Sequence, residues 1–407
     1  MDDNDCESPK AGMKFVAVQI GARHHYAIPR MLERAGMLEA LYTDACANRG
    51  IGRWLNGVLP GFARTGQMGK LLQRSVVGVP PDKIKSTDRL LFQQLFEKRG
   101  ADDAAAFAQV MRHWGTGRAT GIYSMFGEGL GFLQWAKSRG LKIAVDIFIT
   151  PVAHRIVAEE QRQFPEWEAP VNDDPERIER HVGEVIEVAD RLLCPGENVV
   201  AGLRAYPNFV PAQARVIPYG SGADFQGRVN QPVPGRVLFA GTAELRKGTH
   251  YFAAATQRLI ATKTAFEFRV AGNVTDRVRQ RPECAALNFL GRLSRTEMAG
   301  ELLSADVLVL PTLAEGSASV IVEALAVGLP VITTASAGSV ARHGVDGLIV
   351  PERDAGALAE AIGQITSHRE LRNEMAGHCL ERARMVTEAA WSERLLAALS
   401  ELEARKC

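Results

Sequence analysis

Short runs of β-branched and aliphatic residues alternate along the chain with stretches whose apolar positions recur every three or four residues. That alternation predicts a parallel sheet flanked by helices, the α/β class. Strands are expected at 14–20, 121–125, 142–149, 190–194 and 215–218 in the first half, and at 236–240, 267–271, 286–290, 306–311 and 330–334 in the second. The clearest helix is 176–189, where Ile178, Val182, Val185, Ile186 and Ala189 repeat at helical spacing behind Asp174 as N-cap and Pro175 in the first turn. Another is expected over 26–34, with Pro29 moving its start to Ala27 or Ile28.

The periodicity lapses at 218–235, where proline, glycine and polar residues persist for longer than an average connection. This predicts a linker between a domain of 13–217 and one of 236–387, after a polar, disordered tail of 1–12. The final helix, 388–404, has no strand after it and is expected to pack back on the first domain. Doubly wound sheets place ligands at the carboxyl ends of their strands, so the natural site is a cleft between the two domains.

The 407 residues are 46% hydrophobic and 23% charged, enough to build sizeable cores and unlike a disordered chain. Lysine plus arginine is 48 against 47 for aspartate plus glutamate, so no global field recruits nucleic acid. The six cysteines, at 6, 46, 194, 284, 379 and 407, lack metal-ligand spacing, which argues against zinc and against a disulfide framework. A reducing, cytoplasmic location is expected, with no metal. The first twelve residues carry Asp2, Asp3, Asp5 and Glu7 where a leader would be basic and then apolar. The longest uncharged stretch, 324–341, is broken by Gly328, Pro330 and Gly338 and reads as helix, turn and strand.

The strongest chemistry follows the strand at 306–311. A loop leads into a helix beginning near Ser317, and the backbone N–H groups of Gly316, Ser317, Ala318 and Ser319 would cradle a phosphate. Glu315 stands at the mouth of that loop, able to accept from two sugar hydroxyls. Glu323 falls in an apolar helical stretch, where a carboxylate needs a partner such as a ribose diol. A helix-end charge and a solvated glutamate remain the plain alternative for this pair. After the strand at 236–240, Arg246 and Lys247 form adjacent cations suited to a departing phosphate, or else a surface basic pair. Gly21 ends the first strand and lets backbone approach a ligand.

The two glutamates seven residues apart, followed by Glu-Ala-Leu-Ala-Val-Gly-Leu-Pro-Val-Ile at 323–332, resemble the donor-site signature of retaining glycosyltransferases of family 4. Three other segments resemble that family in order: Val216-Ile217-Pro218-Tyr219-Gly220, the Phe239-Ala240-Gly241 strand end running to Arg246-Lys247-Gly248, and 337–351. The resemblance covers 190–400 well and the first domain loosely. It implies the GT-B fold, two Rossmann-like domains facing across a cleft, and a nucleoside diphosphate sugar as substrate with no cofactor.

Carried over by residue, the resemblance implies that Arg246 and Lys247 bind the diphosphate, Glu315 the sugar and Glu323 the ribose. Gly241, Thr242, Gly272 and Leu293 would border the donor, and the loop of Gly21, His24 and His25 would face diphosphate and acceptor. Thr242 stands where members often carry arginine, leaving Arg246 as the substitute. Many members have a histidine at the end of the fourth strand. This chain has Asp146 nearby, either touching the acceptor or hydrogen-bonding a loop. Retention then proceeds by same-face substitution, with no protein nucleophile.

Residues 51–99 hold nine basic and three acidic residues with Trp54 and Phe62, the composition of an ordinary solvated helical face or, alternatively, of a surface for peripheral contact with anionic lipid. The expected function is transfer of a sugar to a hydroxyl of a glycan or glycolipid. An epimerase or phosphorylase of the same fold, or a non-catalytic sugar-nucleotide binder, is the alternative.

Overall fold

The computed structural model describes residues 12–44, 46–49, 53, 74–87, 101–126, 128–169, 174–220, 225, 227–261 and 265–403. The chain forms two compact units. The first comprises Met1–Asp146, His181–Leu193 and Leu395–Cys407, the second Ile147–Arg180 and Cys194–Arg394.

In the first unit lie β1 (Phe15–Val18), β2 (Leu38–Thr43), β3 (Ile84–Ser86), β4 (Gly121–Met125), β5 (Lys142–Asp146) and β6 (Arg191–Cys194). Their order is β3-β2-β1-β4-β5-β6 and every described pairing is parallel. All four residues of β1 are buried, as a strand covered on both faces requires. The helix after it runs Ala27–Arg34, starting where Pro29 allows, and Gly36 at φ 66° turns the chain straight into β2. β2 and β3 are additions to the sequence reading.

The second unit holds β7 (Ala214–Val216), β8 (Arg236–Ala240), β9 (Glu267–Ala271), β10 (Leu287–Gly291), β11 (Val307–Leu310), β12 (Val331–Thr333) and β13 (Gly347–Ile349). Strands β8 to β13 form one parallel sheet in the order β10-β9-β8-β11-β12-β13. Its core is one cluster running from Val237, Phe239 and Phe252 through Leu308 and Ile321 to Ile362.

Several expectations are corrected. The units do not part at 218–235; the chain passes between them at 146/147, 180/181, 193/194 and 394/395. The fifth strand stops at Asp146 instead of 149, and Ile149 makes an antiparallel bridge to Gly316 of the second unit's own loop. The glutamate helix begins at Ser319, not Ser317, because Gly316 and Ala318 are held by neighbouring backbone. In the last helix, Glu388–Ser400, Trp391 packs on Tyr219 in the second unit, while the part from Leu395 groups with the first. The expected tail, but for Gly12, lies outside the described residues, as does most of 51–99 with Trp54 and Phe62. Among the described residues, no helix is long and apolar enough to cross a membrane.

Candidate active site

The second unit brings the predicted cations and the first glutamate into contact. Past β8 the chain leaves the sheet at Gly241 and makes a single 3-10 turn, Leu245–Lys247, closed by Gly248 at φ 72° ahead of helix Thr249–Ile260. A Cβ on Gly248 would lie 2.0 Å from the carbonyl oxygen of Pro311, so only glycine lets the turn approach the loop after β11 this closely. That loop answers with two hydrogen bonds to the carbonyl of Arg246, from the Leu313 N–H at 2.9 Å and the Thr312 hydroxyl at 3.0 Å.

The guanidinium of Arg246 donates from Nη1 to the carbonyl of Ala314 at 2.9 Å and to the carboxylate of Glu315, and from Nη2 to Glu244 Oε1 at 2.6 Å. Lys247 Nζ pairs with the same Glu315 oxygen. The side chains of Lys247 and Glu315 are only 13% and 14% exposed, so these charges meet with little water between them. Burial alone would raise the Glu315 carboxyl, but the charges of Lys247 and Arg246 outweigh it and hold the group below the ordinary carboxylate range. Burial likewise disfavours charged Arg246, and Glu315 and Glu244 together reverse that effect. The arrangement is a compact cation pair able to meet a dianion, beside a carboxylate that stays ionised at neutral pH.

The backbone of Glu315 is fixed from three sides. Its N–H donates to Ser336 at 3.1 Å, and its carbonyl accepts from the Thr150 N–H at 3.2 Å and from Asn198 Nδ2 at 2.7 Å. A Cβ on Gly316 would lie 1.9 Å from the carbonyl oxygen of Phe148. The Ala318 N–H donates to Ala337 at 3.2 Å. The expected amide cradle is therefore partly committed within the protein, because a loop packed between two other segments satisfies its amides there. Ser317 is half-buried and Ser319 exposed, while Glu323 is half-buried on helix Ser319–Ala326 between buried Val322 and Ala324.

The predicted glycines form a shelf across three strand ends. Gly241 donates to Ala271 at 2.8 Å and Gly272 to Gly291 at 2.8 Å. A Cβ on Gly272 would fall 1.9 Å from the carbonyl oxygen of Gly241. Thr242 is exposed beside the shelf, and Leu293 is half-buried against the core.

Gly21, His24, His25 and Asp146 belong to the first unit. The Gly21 amide donates to Asp44 Oδ1 at 2.9 Å, and its neighbour Ile20 donates to Glu128 Oε2 at 2.7 Å. Carboxylates after β2 and β4 thus hold the loop, and the sequence shows no sign of either. His24, His25 and Tyr26 follow one another at φ 47°, 49° and 57°, a left-handed run that costs non-glycine residues about 1–3 kcal/mol each. Burial, then the neighbouring Arg23 and His25, push His24 down to about 4. Asp146 is buried and accepts from the hydroxyl of Tyr123, on β4, at 2.9 Å.

Glu244 and Asn198 are site residues the sequence reading missed. The only signal for Glu244 is a carboxylate two positions before an arginine; nothing local marks Asn198. Cys46, Cys194, Cys284 and Cys379 are buried free thiols, and among the described residues no group of three or more His, Cys, Asp or Glu could hold a metal ion.

Residues 234–368 match the model of the family described as glycosyl transferases group 1. A glycogen synthase of Mycobacterium tuberculosis is 31% identical over 170 residues, 39% of this chain, and the chain spans 41% of the length of that relative. Among solved structures, sucrose-phosphate synthase from Thermosynechococcus elongatus superposes with TM-score 0.69 at 18% identity, covering 96% of this chain and 99% of that one. Anabaena HepE in complex with UDP and glucose gives 0.65 at 14%, covering 96% and 100%. The chain has the α/β fold of the GT-B glycosyltransferases, and its residues 234–368 are similar to the group 1 glycosyl transferases.

Proposed function

We propose that this protein is a retaining glycosyltransferase that moves a sugar from a nucleoside diphosphate to a hydroxyl of a glycan or glycolipid. The observation that carries the reading is the convergence of Arg246, Lys247 and Glu315 at the carboxyl ends of β8 and β11. Two half-buried cations suit a diphosphate leaving group, taking the place that a divalent metal has in other phosphoryl sites. Glu315, kept ionised, would accept hydrogen bonds from sugar hydroxyls, and Glu323 from the ribose. The strand ends at Gly241 and Gly272, packed against each other where a Gly272 Cβ would strike the Gly241 carbonyl, would border the nucleotide.

In the reaction the bond from the anomeric carbon to the leaving phosphate oxygen breaks, and a bond to the acceptor oxygen forms on the same face. The acceptor proton passes to the departing phosphate oxygen. The protein's share is orientation and charge stabilisation, which demands no nucleophile and no metal. Support comes from the family match over 234–368 and from the likeness to a glycogen synthase.

The test is a panel of uridine, guanosine and adenosine diphosphate sugars offered with glycan and glycolipid acceptors, with and without a chelator. Transfer that survives chelation, with the anomeric configuration preserved by NMR, is expected. Phosphate-dependent cleavage would make the protein a phosphorylase, acceptor-free isomerisation of the donor an epimerase, and binding without turnover a sugar-nucleotide binder.

A further inference from the structure

Residues 147–168 lie in sequence between two strands of the first unit, yet they group with the second. We propose that they are a clasp that sets the cation turn and the carboxylate loop in register, with Glu168 as the positioning residue for Arg246 and Lys247. This rests on the reading of the site given above. At its start the segment grips the carboxylate loop: Ile149 bridges Gly316, and the Thr150 N–H reaches the Glu315 carbonyl at 3.2 Å. At its end, Glu168 Oε1 accepts the N–H of Leu245, the first residue of the turn that carries both cations. A three-residue turn has no internal partner for that N–H, and a carboxylate there favours the positive end of the turn.

Between these grips the helix Ala153–Gln163 is locked to the start of helix Thr249–Ile260. Glu160, fully buried, accepts from His250 Nε2 at 2.9 Å, from the Tyr251 hydroxyl at 3.1 Å and from Arg353 Nε at 2.5 Å. Arg353 stands at φ 62°, a conformation a non-glycine residue keeps only when its surroundings demand it, and its Nη2 also reaches Glu159 at 2.9 Å. Trp167, 4% exposed, lies with its ring 5.5 Å from His250 and 4.9 Å from the Arg281 guanidinium, which brings Glu168 against the turn. The clasp thus touches both halves of the site through their backbone, while among the described residues none of its own charges touches Arg246, Lys247 or Glu315.

The experiment measures, on the full chain, binding of UDP, GDP, ADP and inorganic pyrophosphate by calorimetry, turnover with the donor found active, and amide exchange over 245–248. For Glu168→Ala the expected result is a loss of about fivefold or more in diphosphate and pyrophosphate affinity, a matching fall in kcat and faster exchange over 245–248. Glu168→Gln, which keeps an acceptor oxygen, should restore affinity to within about twofold. A merely structural role would lower thermal stability without this selective loss and rescue. Wild-type affinity and turnover in Glu168→Ala overturn the clasp. Should that variant not fold, Glu168→Asp, one methylene short of Leu245, must show the same loss, and wild-type values there overturn it equally. Lys247→Ala separates the two levels: if it binds diphosphate as the wild type does, the reading of the site fails and takes the clasp with it. If it loses binding while Glu168→Ala does not, only the clasp fails.

Discussion

Asn198 Nδ2 donates to the carbonyl of Glu315 at 2.7 Å and to that of Ser336 at 3.2 Å, so one amide ties the loop after β11 to the loop after β12. Both acceptors are backbone, and neither loop can shift without breaking a bond. Replacing the side chain by Ala removes a donor from two partly buried carbonyls, a cost of about 1–3 kcal/mol. Asn198→Ala is expected to lower stability by that amount in denaturant titration and turnover several-fold. Asn198→Asp should be worse than Ala, since a carboxylate would face two carbonyl oxygens.

Lys247 and Arg246 share one oxygen of Glu315, so removing any one of the three leaves the others imperfectly compensated. Lys247→Ala and Glu315→Ala are each expected to reduce kcat/KM at least about tenfold, equivalent to about 1.4 kcal/mol of barrier. The double variant should fall short of the product of the two, because the residues act as a unit. Near-native turnover in both single variants would remove these residues from the chemistry.

Gly272 stands at φ 150° with the carbonyl oxygen of Gly241 where a Cβ would go, 1.9 Å away. Gly272→Ala must therefore push apart the ends of β8 and β9. A loss of at least about 2 kcal/mol in stability is expected, with weaker nucleotide binding than in a control such as Gly300→Ala, where a Cβ would meet nothing within 4 Å.

His24 is pushed from 6.5 down to about 4 by burial and by its neighbours Arg23 and His25. Its folded value lies below its unfolded one, so between these limits the unfolded chain binds more protons and stability rises with pH. Falling from pH 6.5 towards 4, the native protein loses this contribution, and below 4 the loss is complete. The slope is worth about one proton at most. His24→Gln should flatten the stability profile across that window in urea midpoints recorded at several pH values. An unchanged profile would show that His24 is protonated as readily in the native state as in the unfolded one.

The strands β4, β8 and β9 match the sequence reading residue for residue: β8 is a dense apolar run after Arg236, and β9 alternates Phe268 and Val270 with polar Glu267 and Arg269. β2 and β3 escape it for local reasons. Glu39 interrupts the apolar pattern of β2, and β3 is three residues long with Lys85 at its centre. Arg246, Lys247 and Glu315 were legible because their residue types sit beside strand ends with a recognisable spacing. Asn198 and Glu168 were not, because each acts on backbone 117 and 77 positions away, and no nearby pattern encodes such a pairing. The partners of the Gly21 and Ala318 amides are hidden for the same reason: the groups that satisfy them come from distant loops.

A polypeptide that passes between two units four times, at 146/147, 180/181, 193/194 and 394/395, cannot be severed once to release either of them whole. A fragment beginning at the glycine- and proline-rich stretch near 218 would lack the helix bearing Glu160 and the amide of Asn198, and would expose the apolar surface they cover. Exchange of specificity with a relative by recombination would have to carry 147–180 and 194–217 along with the donor half, so the portable module in this architecture is discontinuous in the gene.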